Sequence, residues 1–403
     1  PEYSLYRMLD QTSLNFPDSI AIIYEDETMT YQELKVQVDR LANAWQELGI
    51  QKGDRVGLML ANHPDYVIAY YAAQMLGAIV VQVNPHYTAR EIFEIIADSG
   101  MGYLVLSDSN RAVFKQIEAD TSLKAVFLSN DPHPDDVQLE LPTYSLNKLI
   151  KRAKPLASCA AIDVHNDVAV IQYTGGTTGK IKGAMLTHYN LIANVVQSDL
   201  MYFDTFNVAS EVTLTATPLY HVYAMTSAMN LSIYSAQTML IVRQFEVKSV
   251  LSLIERYRPT FFPGVPTMYN AIVNEPNVEK MTLDSFKVCS CGSAPLPIEI
   301  LHRFEKLTGV PILEGYGLSE AAPTTHRNPI NGVRKVGSIG IPFPMTDSKV
   351  VDEKGHEVSV GTVGELVLKG PQVMKGYWRK PEQTKEAVRD GWLYTGDLAK
   401  MDE

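Results

Sequence analysis

Cysteine is scarce: Cys159, Cys289 and Cys291 are the only three in 403 residues. That excludes a disulfide scaffold, and a Cys-x-Cys pair with no nearby His or Cys is not a zinc spacing. The setting that fits is a reducing cytoplasmic one, with the cysteines as core filler. Long apolar runs are missing too, none approaching the roughly 20 residues of a membrane-spanning helix. The opening Pro1-Glu-Tyr-Ser-Leu-Tyr6 lacks a signal-peptide pattern and does not begin with methionine. Positive charge is in deficit, with 35 Lys plus Arg against 46 Asp plus Glu and a formal net charge of -11. No nucleic-acid partner is expected from that balance, and an anionic ligand has to be held by local donors.

What is present is apolar bulk, 46% of the chain, enough for a large core divided into two or three units in tight contact. Thr30-Tyr-Gln-Glu33 reads as a capping box opening a helix whose Leu34, Val38, Leu41, Trp45 and Leu48 recur at helical spacing up to Gly49. A strand is predicted at 55–60, a helix from Pro64 to about Gly77, a strand at 78–83, a second capping box at Thr88-Ala-Arg-Glu91, a helix to about Gly100, and a strand at 103–106. The rhythm returns in strands predicted at 213–217, 238–242 and 286–290. Alternating strands and helices imply an α/β fold of mostly parallel sheets over residues 1–330. Beyond residue 330 the texture changes to short strands at 336–340, 347–351 and 364–369 punctuated by Gly and Pro, so residues 331–403 read as a small β-rich unit. The polar, Pro-broken segment Asn130–Asp136 reads as a surface loop.

The densest chemistry lies in Tyr173-Thr-Gly-Gly-Thr-Thr-Gly-Lys-Ile-Lys-Gly183, directly after the apolar strand Asp167–Tyr173. Glycines let backbone approach anionic oxygens, threonine hydroxyls donate to phosphate or ligate magnesium, and lysines supply charge. A P-loop is excluded, because Thr174 stands where its first glycine belongs and Ile181 where its Ser or Thr belongs. An ordinary glycine-rich turn is the bland alternative, and it leaves the hydroxyl density unexplained.

Four further clusters sit at expected strand ends. Pro218-Leu-Tyr-His-Val-Tyr223 places His221 in an apolar setting suited to orienting a carboxylate or packing on an acyl group; a satisfied core histidine is the alternative. Cys291-Gly-Ser-Ala-Pro295 is a small-residue turn against which a flat ring can lie. In Leu313-Glu-Gly-Tyr-Gly-Leu-Ser-Glu320, Tyr316 can stack on a base, Ser319 can donate to a phosphate, and Glu320 can hold Mg2+. A hydrolase nucleophile elbow at Ser319 is the rival reading, but its closing glycine is missing. Gly391-Trp-Leu-Tyr-Thr-Gly-Asp397 places one carboxylate after a tight turn, where it can hold a ribose or cap its own backbone.

In this order the clusters resemble the adenylate-forming enzymes, which include acyl-CoA synthetases, luciferases and peptide-synthetase adenylation domains; the resemblance covers essentially the whole chain. It implies that family's N-terminal fold: two α/β sheet subdomains that bind AMP, over 1–330, and a barrel-like β-rich one over 331–403 that ends at the ribose-binding turn. It also implies two-step chemistry, in which a carboxylate and MgATP give acyl-AMP and pyrophosphate and a thiol such as CoA then displaces AMP. Carried over by residue, the catalytic set is His221, Lys182, Thr177 and Glu320, with Glu320 and Thr174 on the metal. The nucleotide set is Tyr173, Thr174, Gly175, Gly176, Thr177, Thr178, Gly179, Lys180, Gly292, Ser293, Ala294, Pro295, Glu314, Gly315, Tyr316, Gly317, Ser319 and Asp397.

An amino-acid substrate would call for an Asp in the segment His221-Val-Tyr-Ala-Met-Thr226, and none is there. The acyl pocket expected from His221, Val222, Met225, Gly264, Val265, Gly315 and Leu318 is apolar, and whole-length similarity looks closest to bacterial long-chain fatty-acid CoA ligases. A medium-chain or aryl acid, luciferase-like oxidation of the acyl-adenylate, and a non-catalytic nucleotide-binding regulator are the alternatives. Long acyl substrates suggest peripheral contact with a bilayer, and a homodimer is left open. Members of the family continue past the ribose Asp into a small domain with a lysine that assists adenylation and much of the CoA site. The chain ends at Asp402-Glu403, so residues 1–403 alone are expected to bind ATP and acyl-AMP but to adenylate feebly.

Overall fold

A computed structural model describes residues 1–129, 137–174 and 180–403. Within them the predicted alternation folds into two large sheets. The first has eight strands in the spatial order 376–377, 182–187, 168–174, 79–82, 55–59, 103–107, 125–129 and 143–145. From 168–174 onward its neighbours run parallel, while 182–187 turns back antiparallel on 168–174 and 376–377 closes that edge, also antiparallel. The second sheet has nine strands in the order 341–342, 324–327, 312–317, 288–291, 261–264, 212–215, 238–241, 20–24 and 27–30. Its centre is parallel, and each end carries antiparallel strands. A third, wholly antiparallel sheet runs 347–351, 364–369, 392–399 and 388–389.

Local signals set most of these boundaries. Thr88 and Glu91 form the complete reciprocal capping box at the start of Ala89–Ser99, and Gly100 ends that helix in the left-handed region. Thr30 caps Tyr31–Glu47 through its hydroxyl, which accepts from the Glu33 amide. Pro64 opens Pro64–Leu76, whose missing first-turn amide proton costs nothing there, and Gly77 closes it at φ 71°. That helix is buried from Tyr66 through Leu76 without a polar face, so it is an interior helix rather than an amphipathic surface one. Gln74 of this helix donates to the Ala169 carbonyl of the first sheet, and Tyr71 donates to Asn230 beside the second. The largest core cluster draws on both sheets around it.

One expectation needs correction. Residues 336–340 form no strand; they make a turn in which the Ser338 amide donates to the Lys335 carbonyl, and the strand Ile341–Pro342 follows. The element after the Thr/Gly/Lys segment, on which the sequence is silent, is a strand. Val168–Thr174 and Lys182–Thr187 form a β-hairpin with Thr174 opposite Lys182, and the helix His188–Met201 begins only after the return strand, capped by Thr187 and Asn190. The segment 130–136 lies outside the described residues.

Candidate active site

The second hairpin, Ile312–Gly317 with Thr324–Arg327, builds the site. Its register pairs Gly315 with Arg327 and Tyr316 with His326. Directly opposed residues share a face, so Gly315 and Arg327 lie on one side of the ladder and Tyr316 and His326 on the other. The rings of Tyr316 and His326 accordingly meet edge to face, with centroids 6.2 Å apart. Both glycines here are demanded by close approach: a Cβ on Gly315 would lie 2.7 Å from the His326 carbonyl oxygen, and one on Gly317 would lie 2.6 Å from that of Pro323.

Beside this hairpin opens a cleft of about 180 Å³ lined by His221, Val222, Tyr223, the turn Cys291-Gly292-Ser293, Gly315 to Ser319, Pro323, Thr324 and Arg327. Tyr316 donates its hydroxyl to Asp397 Oδ2 at 2.5 Å, which ties the strand Trp392–Ala399 of the third sheet to the cleft. Burial and the Asp397 charge hold the Tyr316 phenol well above its ordinary pKa, so it remains a donor. Ser293 adopts φ 76°, a left-handed conformation that costs a non-glycine residue energy and is concentrated at functional sites. His221 caps a short helical turn, its Nδ1 accepting from the Tyr223 amide at 3.3 Å. Its ring is exposed toward the cleft, yet the surrounding protein desolvates it and lowers its pKa, so it is neutral at pH 7.

A second group stands at the base of the first hairpin. The Thr174 hydroxyl reaches the Lys182 carbonyl at 3.4 Å, and the Lys182 ammonium lies 4.9 Å from the centre of the Tyr377 ring. Tyr377 in turn donates to Glu320 Oε2 at 2.9 Å, and the Glu320 carbonyl accepts from the Met374 amide. The edge strand Gly376–Tyr377 thus connects the predicted phosphate-side lysine to the predicted metal-side carboxylate. Glu320 offers the hard oxygen donor that Mg2+ prefers, and an ATP-bound Mg2+ needs only one or two carboxylates from protein. No cluster of three or more metal-ligating side chains occurs among the described residues.

Of the residues expected from sequence, His221, Val222, Gly292, Ser293, Gly315, Tyr316, Gly317, Leu318 and Ser319 line the cleft. Asp397, Glu320, Lys182 and Thr174 reach it or one another through the contacts above. Gly175, Gly176, Thr177, Thr178 and Gly179 lie outside the described residues. Lys180 is exposed beside them. Ala294 and Pro295 are exposed on the turn beyond Ser293 and do not line the cleft.

Several placements differ from expectation. Tyr173 projects into the core, donating to Asp98 at 2.6 Å. Glu314 accepts from the Gly337 amide and buttresses the 336–340 turn. Met225 is buried with its sulfur accepting from Gln82, and Gly264 and Val265 sit against Phe262 and Tyr269 in the core, so none of the three lines the cleft. Sequence reasoning missed Tyr377, Thr324 and Arg327. The signal was tertiary, since Tyr377 belongs to a returning edge strand and the last two belong to the return strand of a hairpin.

A family model described as AMP-binding enzyme matches residues 9–378. The chain belongs to the AMP-binding enzyme family. Within it, a long-chain-fatty-acid–CoA ligase of Bacillus subtilis (strain 168) is 39% identical over 424 aligned residues, covering 100% of this chain and 75% of that protein. Among solved structures, a long-chain-fatty-acid-CoA ligase from Archaeoglobus fulgidus superposes with a TM-score of 0.89 at 28% identity, over 100% of this chain and 82% of that one. The N-terminal domain of FACL13 from Mycobacterium tuberculosis superposes with a TM-score of 0.86 at 26% identity, over 100% of this chain and 98% of that one. The chain therefore spans three quarters of the length of the curated relative and nearly all of the solved N-terminal domain. The AMP-binding architecture of two α/β sheets with a small antiparallel half-barrel is the one the sequence resemblance implied. No helix among the described residues is long and apolar enough to cross a membrane.

Proposed function

We propose that this AMP-binding enzyme activates fatty acids in two steps at the cleft between His221, Gly292 and Tyr316. In the first, a carboxylate oxygen attacks the α-phosphorus of ATP, forming acyl-AMP as pyrophosphate leaves. In the second, the CoA sulfur attacks the acyl carbonyl and AMP leaves, giving the acyl-CoA. The carrying observation is the pair formed by Tyr316 and Asp397, an aromatic face and a carboxylate fixed together at the edge of the cleft. Tyr316 stacks the base, Asp397 accepts from ribose hydroxyls, and the Gly292-Ser293 backbone admits the flat ring. Identity of 39% to a long-chain-fatty-acid–CoA ligase supports the acid class.

A carboxylate is a weak nucleophile and the α-phosphorus is shielded by negative charge, so positioning and charge neutralisation supply most of the catalysis. Lys182 and Thr174, with Thr177, Thr178 and Lys180, hold the departing pyrophosphate. Glu320 holds Mg2+, which when bound neutralises phosphate charge. Neutral His221 orients the acid by hydrogen bonding without trapping it as an ion pair. Acid-dependent ATP–pyrophosphate exchange, followed by acyl-CoA assay over a panel of chain lengths, tests this in the full-length protein. Exchange with fatty acids and its loss by about 10²- to 10³-fold in Glu320→Gln, with AMP affinity retained, is expected. No exchange with any acid would overturn the reading.

A further inference from the structure

Among the described residues, the buried carboxylates are paired and one buried cation is not. Asp39, Glu118 and Glu211 are each at most 5% exposed, and each meets a lysine: Lys35 at 2.6 Å, Lys115 at 3.0 Å and Lys287 at 2.5 Å. Arg327 is 2% exposed, and among the described residues no carboxylate pairs with it. Its guanidinium donates to the Tyr202 hydroxyl and lies between two rings, 5.0 Å from the centre of Tyr202 and 5.3 Å from that of Phe343. Ring faces offset part of the cost of a desolvated cation but leave most of its five donors unused. A buried cation without a counter-charge is expensive to keep unless something completes it. Arg327 lines the cleft, so a bound molecule can complete it.

Which end of the substrate does so follows from the hairpin register. Arg327 shares its face of the ladder with Gly315, whereas Tyr316, joined to Asp397, occupies the opposite face. The base and ribose are therefore gathered on the side away from Arg327. Arg327 and Gly315 both line the cleft, and Gly315 contributes no side chain of its own to it.

We propose that Arg327 is a specificity-determining residue and that the fatty acid selected here carries a second carboxylate, bound by Arg327 while the first is activated. This rests on the acid-activating function above and narrows its substrate class. A planar guanidinium matches a carboxylate fork in two hydrogen bonds, which a methyl-ended chain of equal length cannot make. The plain acid would instead leave the cation buried and uncompensated.

The test compares monocarboxylic and α,ω-dicarboxylic acids of the same carbon number, from short to long chains, as substrates of the full-length protein, with kcat/KM for AMP release as readout. At its best length the dicarboxylic acid is expected to exceed its partner by roughly tenfold or more. Arg327→Leu is expected to lose roughly 10- to 100-fold on the dicarboxylic acid, to keep or gain activity on the plain acid, and to leave AMP affinity unchanged. Arg327→Lys, which retains the charge and a smaller disturbance of packing, is expected to fall between them. A wild-type preference for plain acids at every length overturns the proposal whatever the variants do. So does an equal loss on both acids, or a parallel loss of AMP affinity, in Arg327→Leu, since these mark a structural or phosphate-binding role. Activation of plain acids alone defeats this inference and leaves acid activation standing; no activation of any acid defeats both.

Discussion

Two hairpins frame the site, and they use the same topology differently. In each, the last parallel strand of a large sheet turns back on itself, 168–174 onto 182–187 in the first sheet and 312–317 onto 324–327 in the second. Among its described residues the first offers its proposed chemistry at its base, where Lys182 is partly exposed beside Tyr377. The second carries it in the ladder itself, with Thr324 through Arg327 all buried and two glycines pressed against opposing carbonyls. The strands of the first hairpin are themselves core, with Ala169 through Tyr173 buried, and only its base is open, whereas the buried return strand of the second also shapes the cleft.

The sharpest break in that comparison is expected from acid. Burial pushes His326, on the second hairpin, down to about 4 from an ordinary 6.5, and it does the same to His188, the first residue of the helix after the first hairpin. The unfolded imidazoles take up protons near pH 6.5 that the folded ones refuse until about pH 4. Stability is therefore full above pH 6.5 and falls as pH drops toward 4, by up to about 3 kcal/mol per histidine. Urea unfolding across that window checks the slope, and His326→Gln should remove one histidine's share; an unchanged slope would mean that His326 is charged in the fold.

Next in size is Gly317→Ala. Its added Cβ would lie 2.6 Å from the Pro323 carbonyl oxygen, so the hairpin must open, at an expected cost of about 1–3 kcal/mol in thermal or chemical unfolding. Smallest is Lys182→Ala on the first hairpin. ATP affinity should fall about tenfold and AMP affinity much less if the lysine serves the leaving pyrophosphate as proposed, with the unfolding midpoint nearly unchanged. Equal losses for the two nucleotides, or destabilisation matching that of Gly317→Ala, would erase the distinction between the hairpins.

Sequence carried the parallel alternation because each boundary had a local cause. Thr88 with Glu91, Pro64 with Gly77, and the turn residues around 364–369 act within a few positions of themselves. Tyr316, Asp397 and Glu320 could be singled out from sequence because their motifs are short, and the structure brings Tyr316 to Asp397 beside the cleft. Arg327 was not, since its place in the cleft depends on which residue it faces across a hairpin, and that is not a local property. The return strand 182–187 was hidden for a related reason. A glycine-rich turn looks alike whether a strand or a helix follows, and only pairing of Thr174 with Lys182 decides it.

The interior helix Pro64–Leu76 has a consequence for how this molecule comes apart. Both large sheets use it as a shared wall, through Ala169 on one side and Asn230 on the other. The core cluster that the two sheets share loses its common wall if the helix leaves, while each sheet keeps a further apolar cluster of its own, so loss of the helix is expected to uncouple the sheets before either is dismantled. The walls that meet at the substrate are locked from behind.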